Sequence, residues 1–118
     1  MMTDSPIINI GEGIRLCGGS RTFYLRMLAQ FANDSSIKIL ADSLERNDAQ
    51  SAFLAAHALK GLCAQLSLSA LSDSISLFCE ILRAQKKECV PGAAAQLPAI
   101  RSVYDRTLRE IDFLIKPE

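Results

Sequence analysis

The chain has 118 residues, nearly half of them hydrophobic, with 13 basic and 13 acidic side chains and a formal net charge of zero. That length suits one domain with one core, the composition excludes a disordered chain, and the balanced charge excludes a strong electrostatic case for nucleic acid or an acidic membrane. No run of about 18 apolar residues is present and the opening Met-Met-Thr-Asp-Ser-Pro lacks a basic segment followed by an apolar one, so neither a membrane span nor a signal peptide is predicted and the cytoplasm is the expected compartment.

Residues 1–8 read as a flexible lead-in and 9–116 as one helical domain. Asn9 caps a short helix through Cys17, which Gly18-Gly19 ends. Ser20 caps the next helix, whose Tyr24, Met27, Leu28 and Phe31 recur at the spacing of one buried face. Asn33-Asp34-Ser35-Ser36 is a turn and cap, and Ile37, Leu40, Ala41 and Leu44 mark a short third helix ending near Asn47. Asp48 caps the following helix, which runs to about Leu66. After a tight connection over Ser67–Ser69, the spacing of Leu71, Ile75, Phe78 and Leu82 predicts a helix to about Lys87. Pro91-Gly92 is the clearest breaker. A last helix with Leu97, Ile100, Tyr104, Leu108 and Ile111 on one face begins either near Ala93, with Pro98 in its first turn, or at Leu97. No period-two alternation persists and no hairpin signal occurs. The fold class is therefore all-α, and the short connections predict an antiparallel up-down bundle.

The four cysteines, Cys17, Cys63, Cys79 and Cys89, form no Cys-x-x-Cys pair, and the single histidine is not spaced for zinc. They read as reduced thiols, Cys63 and Cys79 beside the core and Cys89 exposed. Paired Glu-x-x-His segments, a nucleophile elbow and a phosphate-binding glycine loop are all missing, so no metal and no bound cofactor is expected.

His57 stands out by its phase. At about 100° per residue, Ala55, Leu59, Leu62 and Leu66 fall between roughly 140° and 200° from it. Gln50, Gly61 and Ala64 lie within about 40° of it, and Phe53 and Lys60 within about 60°, with Leu54 at the edge. A histidine opposite the apolar stripe is presented to solvent. Imidazole, with an unperturbed pKa of about 6.5, is a good nucleophile near neutral pH. Lys60, one turn on, can reach the oxygens of a transferring phosphoryl group. Gly61 clears space for another protein's backbone, and Gln50, Phe53, Leu54 and Ala64 offer docking area. On geometry alone, a phosphoryl acceptor and an ordinary surface histidine beside a helix lysine stand level.

The run His57-Ala58-Leu59-Lys60-Gly61 resembles the central motif of histidine-containing phosphotransfer (HPt) domains, usually His-x-Leu-Lys-Gly. Asn9–Gly19 is similar to the family's short N-terminal helix with its glycine turn, Phe23–Phe31 to the helix that follows, and Leu71–Glu80 to the helix beside the histidine helix; residues from about 9 to 114 can be laid on the pattern. The resemblance implies a four-helix bundle whose first short helices cover one end. It implies a phosphorelay intermediate of two-component signal transduction, with His57 taking a phosphoryl group on Nε2 from the aspartate of a receiver domain and passing it to another. The receiver belongs to a response regulator or a hybrid sensor histidine kinase, and it supplies Mg²⁺ and most of the catalysis. This chain contributes the nucleophile, Lys60 and the cleared surface at Gly61, and has no cofactor of its own. Two departures stand out: Leu62 and Cys63 follow the glycine where small residues are usual, and Ser67 stands where a glycine is common. By phase, Leu62 and Cys63 point toward the core. The neutral surface with one exposed face predicts a monomer. The rival readings are a non-catalytic adaptor or inhibitor that binds a receiver or kinase through the same face, and an enzyme with its own small substrate, for which no polar pocket is legible.

Overall fold

The computed structural model describes residues 7–83 and 94–116. Among these it is helical with no strand, and its elements are α1 (Ile10–Leu16), α2 (Arg21–Ala32), α3 (Ser36–Glu45), α4 (Ala49–Leu66), α5 (Ser69–Arg83) and α6 (Leu97–Ile115). The starts follow side-chain chemistry. Asn9, Ser20 and Asp48 each accept the backbone N–H three residues on, from Glu12, Phe23 and Ser51, which satisfies one of the orphan donors of each first turn. α6 begins at Leu97 with Pro98 in its first turn, where a missing N–H costs little. Lys87, Cys89, Pro91, Gly92 and Ala93 lie outside the described residues.

Three helices end in the same way. A residue at positive φ stops the helix, its N–H reaches back three residues and the next N–H reaches back five. Gly18 (φ 82°) does this for α1, Asn47 (φ 57°) for α3 and Ser67 (φ 56°) for α4. The paired bonds are Gly18 to Arg15 and Gly19 to Ile14, Asn47 to Leu44 and Asp48 to Ser43, and Ser67 to Ala64 and Leu68 to Cys63. Asp48 thus closes α3 through its N–H and opens α4 through its side chain.

α4 is the organising helix. It packs most extensively against α3 and α5 and also touches α1 and α2, while α6 packs on α2 and α5. Its first half buries Ala49, Ala52, Ala55 and Ala56, its second half Leu59, Cys63 and Leu66. Alanine loses no rotamer entropy in a helix, and a face of alanines lets neighbouring helices approach closely. The rest of the core comes from Tyr24, Leu28 and Phe31 of α2, Leu71, Ile75, Phe78 and Leu82 of α5, and Ile100, Tyr104 and Ile111 of α6. Phe31 and Tyr104 meet at 5.9 Å between ring centres.

Several expectations are corrected. Ile7 and Ile8 are core residues, not part of a loose lead-in. Asn9 donates its N–H to the Ser67 carbonyl and Ala70 donates to that of Ile7, so this segment is tied to the α4–α5 corner. α3 does more than cover an end of the molecule, since it lies along α4. Cys63 and Cys79 are within the core rather than beside it. Burial pushes the Cys63 thiol up to about 12, so it stays protonated and inert at neutral pH. Leu62 is only half-buried. In α6, Thr107 is fully buried, and its hydroxyl donates to the Val103 carbonyl, which removes the cost of burying it.

Candidate functional site

α4 is pinned at both ends, and His57 lies in the middle of it. At the first end are the Asp48 bonds to Ser51, through both the backbone N–H and the hydroxyl. At the other, the Tyr24 hydroxyl donates to the Leu66 carbonyl at 2.8 Å, in a buried setting. That carbonyl is one of the acceptors a helix end leaves open. Tyr24 in turn lies against Gly13 of α1, closely enough that a Cβ there would sit 2.6 Å from its Cζ.

Between these anchors His57 is exposed. The Phe53 ring stacks on it, with ring centres 5.9 Å apart and planes 23° from parallel. Lys60 is half-buried and Gly61 exposed. Gln50 and Ala64 are exposed, and Leu54 holds 61 % of its surface open to solvent. The structure therefore gathers His57 with Gln50, Phe53, Leu54, Lys60, Gly61 and Ala64 along one side of α4. Phe53 and Lys60 edge that strip toward α5, since the Arg83 guanidinium lies over Phe53 and the Lys60 charge acts on the Cys79 thiol.

Gly61 is informative because its surroundings are empty. A Cβ placed there meets nothing within 4 Å, so no internal packing requires glycine. In a helix interior glycine costs about 1 kcal/mol against alanine.

Arg83 belongs to this neighbourhood and was not legible in the motif. Its guanidinium carbon is 5.8 Å from the Phe53 ring centre, and it pairs with Glu80. The signal that could have found it is the Ser67–Leu68 turn: Arg83 follows that turn by about as many residues as Phe53 precedes it. Two hollows among the described residues, one holding about 340 Å³ between Met27, Phe31, Leu62 and Leu66 and one holding about 140 Å³ between α5 and α6, are not lined by His57. Among the described residues no cluster of His, Cys, Asp and Glu could hold a metal ion, and no helix is long and apolar enough to cross a membrane.

Compared with protein-family models, residues 24–110 match the Hpt domain. Comparison with curated proteins and with solved structures gave no match.

Proposed function

This chain belongs to the Hpt domain family, whose business is histidine phosphotransfer in two-component signalling, and from that membership we propose that it is a relay intermediate with His57 as its phosphoryl acceptor. In this reading a receiver domain phosphorylated on aspartate docks on α4. The lone pair of His57 Nε2 attacks phosphorus in line with the aspartyl oxygen. The N–P bond forms as that P–O bond breaks, the receiver keeps a free carboxylate, and the proton on Nδ1 stays where it is. Mg²⁺ in the receiver and Lys60 offset the charge on the phosphoryl oxygens. Transfer to a second receiver is the same step reversed.

The observation that carries the reading is the solvent-facing His57 beside an exposed glycine that internal packing does not require. Gln50, Phe53, Leu54 and Ala64 form the docking strip. Four of the helices, α2, α4, α5 and α6, make the antiparallel up-down bundle of this reading, with α1 closing one end and α3 flanking α4. The Tyr24–Leu66 bond and the contact of Arg83 with Phe53 support opposite directions for α2 and α4 and for α4 and α5. One domain covers residues 9–116 and takes in Ile7 and Ile8.

The test is a transfer assay from a panel of phosphorylated receiver domains with Mg²⁺. The expected product is an acid-labile, alkali-stable phosphate that mass spectrometry locates on His57. His57→Gln is expected to keep its helical circular dichroism and accept nothing, and Lys60→Ala to accept more slowly. Full acceptance by His57→Gln would refute the assignment.

A further inference from the structure

His57 is exposed, yet one face of its ring has a neighbour. The Phe53 ring stacks on it, ring centres 5.9 Å apart and planes 23° from parallel. Phe53 stands one turn earlier in α4, which is where a side chain at position 57 leans, because Cα–Cβ bonds tilt toward the helix N-terminus. Phe53 is itself held. It is half-buried and packs against the core, and the Arg83 guanidinium carbon lies 5.8 Å from its ring centre. We propose that Phe53 is a positioning residue for the acceptor, fixing the His57 imidazole in one rotamer with its ring edge open to an arriving phosphoryl group.

The role rests on His57 being the acceptor. An imidazole on an exposed helix face ordinarily divides its time between two χ1 wells, and its χ2 is broad. Stacking on a held ring favours the one arrangement that keeps the contact, as offset aromatic pairs do. The cover falls on a face of the imidazole. The lone pair that attacks phosphorus lies in the ring plane and points out through the edge. Phe53 therefore restrains the nucleophile without blocking it. A docked receiver presents its phosphorus from one direction, so a ring already in register spares the ordering that each encounter would otherwise require. An aliphatic side chain at position 53 would keep the packing against the core and lose the flat face, which separates positioning from folding.

Phe53→Leu and Phe53→Tyr make the comparison, with circular dichroism and urea titration to check that both keep the fold. Three-bond couplings of His57 report χ1 without any partner, and the parent's own couplings decide even where a variant does not fold. One rotamer is expected in the parent and in Phe53→Tyr, and averaged couplings in Phe53→Leu. With a phosphorylated receiver and Mg²⁺, the rate at saturating receiver is expected to fall about fivefold in Phe53→Leu and to recover in Phe53→Tyr. His57 is the sole histidine, so potassium phosphoramidate can label it alone, the imidazole nitrogen displacing ammonia from phosphorus. This small donor meets the ring from any direction and is expected to react at the same rate in all three proteins. Averaged couplings in the parent overturn the inference, whatever any receiver does. So does a Phe53→Leu protein whose only defect is a higher receiver concentration at half-maximal rate, which is lost docking area. An equal slowing with phosphoramidate overturns it too, since it means altered reactivity of the ring. A parent with one rotamer that accepts from phosphoramidate and from no receiver removes the relay reading and leaves the ring fixed by Phe53.

Discussion

Replacing Gly13 by alanine sets two effects against each other, and the structure says which wins. Alanine favours a helix interior by about 1 kcal/mol over glycine. Its Cβ, however, would stand 2.6 Å from Tyr24 Cζ and 2.7 Å from Tyr24 Oη, and Tyr24 is fully buried, so the ring has no free space to swing into. Overpacking of this kind costs about 1–3 kcal/mol. Moving the ring also breaks the 2.8 Å bond to the Leu66 carbonyl and leaves a buried acceptor unpaired, for a further 1–3 kcal/mol or so. Midpoints added, less the propensity gain, give a net loss of about 3 kcal/mol, or a melting temperature lower by roughly 10 °C for a domain of this size. Urea denaturation followed by far-UV circular dichroism measures it. The decisive control is the same substitution in a Tyr24→Leu background, where the clashing atoms are gone. There Gly13→Ala is expected to be neutral or to stabilise by up to about 1 kcal/mol. An equal loss in both backgrounds, or a Gly13→Ala protein as stable as the parent, would refute the reasoning.

Other outcomes follow from single positions. Ser67→Gly relieves a left-handed conformation that costs an L-residue about 1–2 kcal/mol, against roughly 0.5–1 kcal/mol of added unfolded-state freedom. A gain of about 0.5–1 kcal/mol is expected in the same urea titration, and a loss would show that the Ser67 side chain contributes something the backbone does not. Gly61→Leu, pointing into open space, should leave stability equal or slightly higher while slowing transfer from a receiver at least about tenfold, because it obstructs docking rather than folding. Asp48 has its carboxyl held below the ordinary value, first by the Ser51 hydroxyl and then by the Ser51 backbone N–H. Its folded pKa therefore lies below the unfolded value of about 3.9, and the stability it adds is present above that value and lost as pH falls through the folded one. Asp48→Asn, which still caps, should flatten this part of the acid unfolding curve.

Helix positions were legible because their causes are local. Asn9, Ser20 and Asp48 announce starts by their own side chains, and the apolar spacing of α2 and α5 names the buried faces. The solvent side of α4 followed from phase counting alone. What escaped was decided between segments far apart in the chain. Nothing near Ile7 and Ile8 signals that they meet the α4–α5 corner. Tyr24 reads as one more core residue until its hydroxyl is seen on Leu66, and Gly13 is unremarkable until Tyr24 is placed against it. Thr107 breaks the apolar spacing, and its burial is allowed only because its hydroxyl folds back on the helix. Arg83 lies in the last turn of a surface helix like any arginine, and only the packing of α4 on α5 brings it to Phe53.

Both ends of α4 are fastened by bonds specific to single residues, Asp48 at one and Ser67 with Tyr24 at the other. The number of residues between them is consequently as much a part of the site as their identities. One residue inserted or deleted between Asp48 and His57 turns the imidazole, together with Lys60 and Gly61, by about 100° around the axis relative to the Asp48 cap. Absorbing that change outside the helix would mean giving up a cap. Drift in such a segment can proceed by substitution, position by position, but changes in length are shut out, and neighbouring versions of this helix should differ in spelling while agreeing in count.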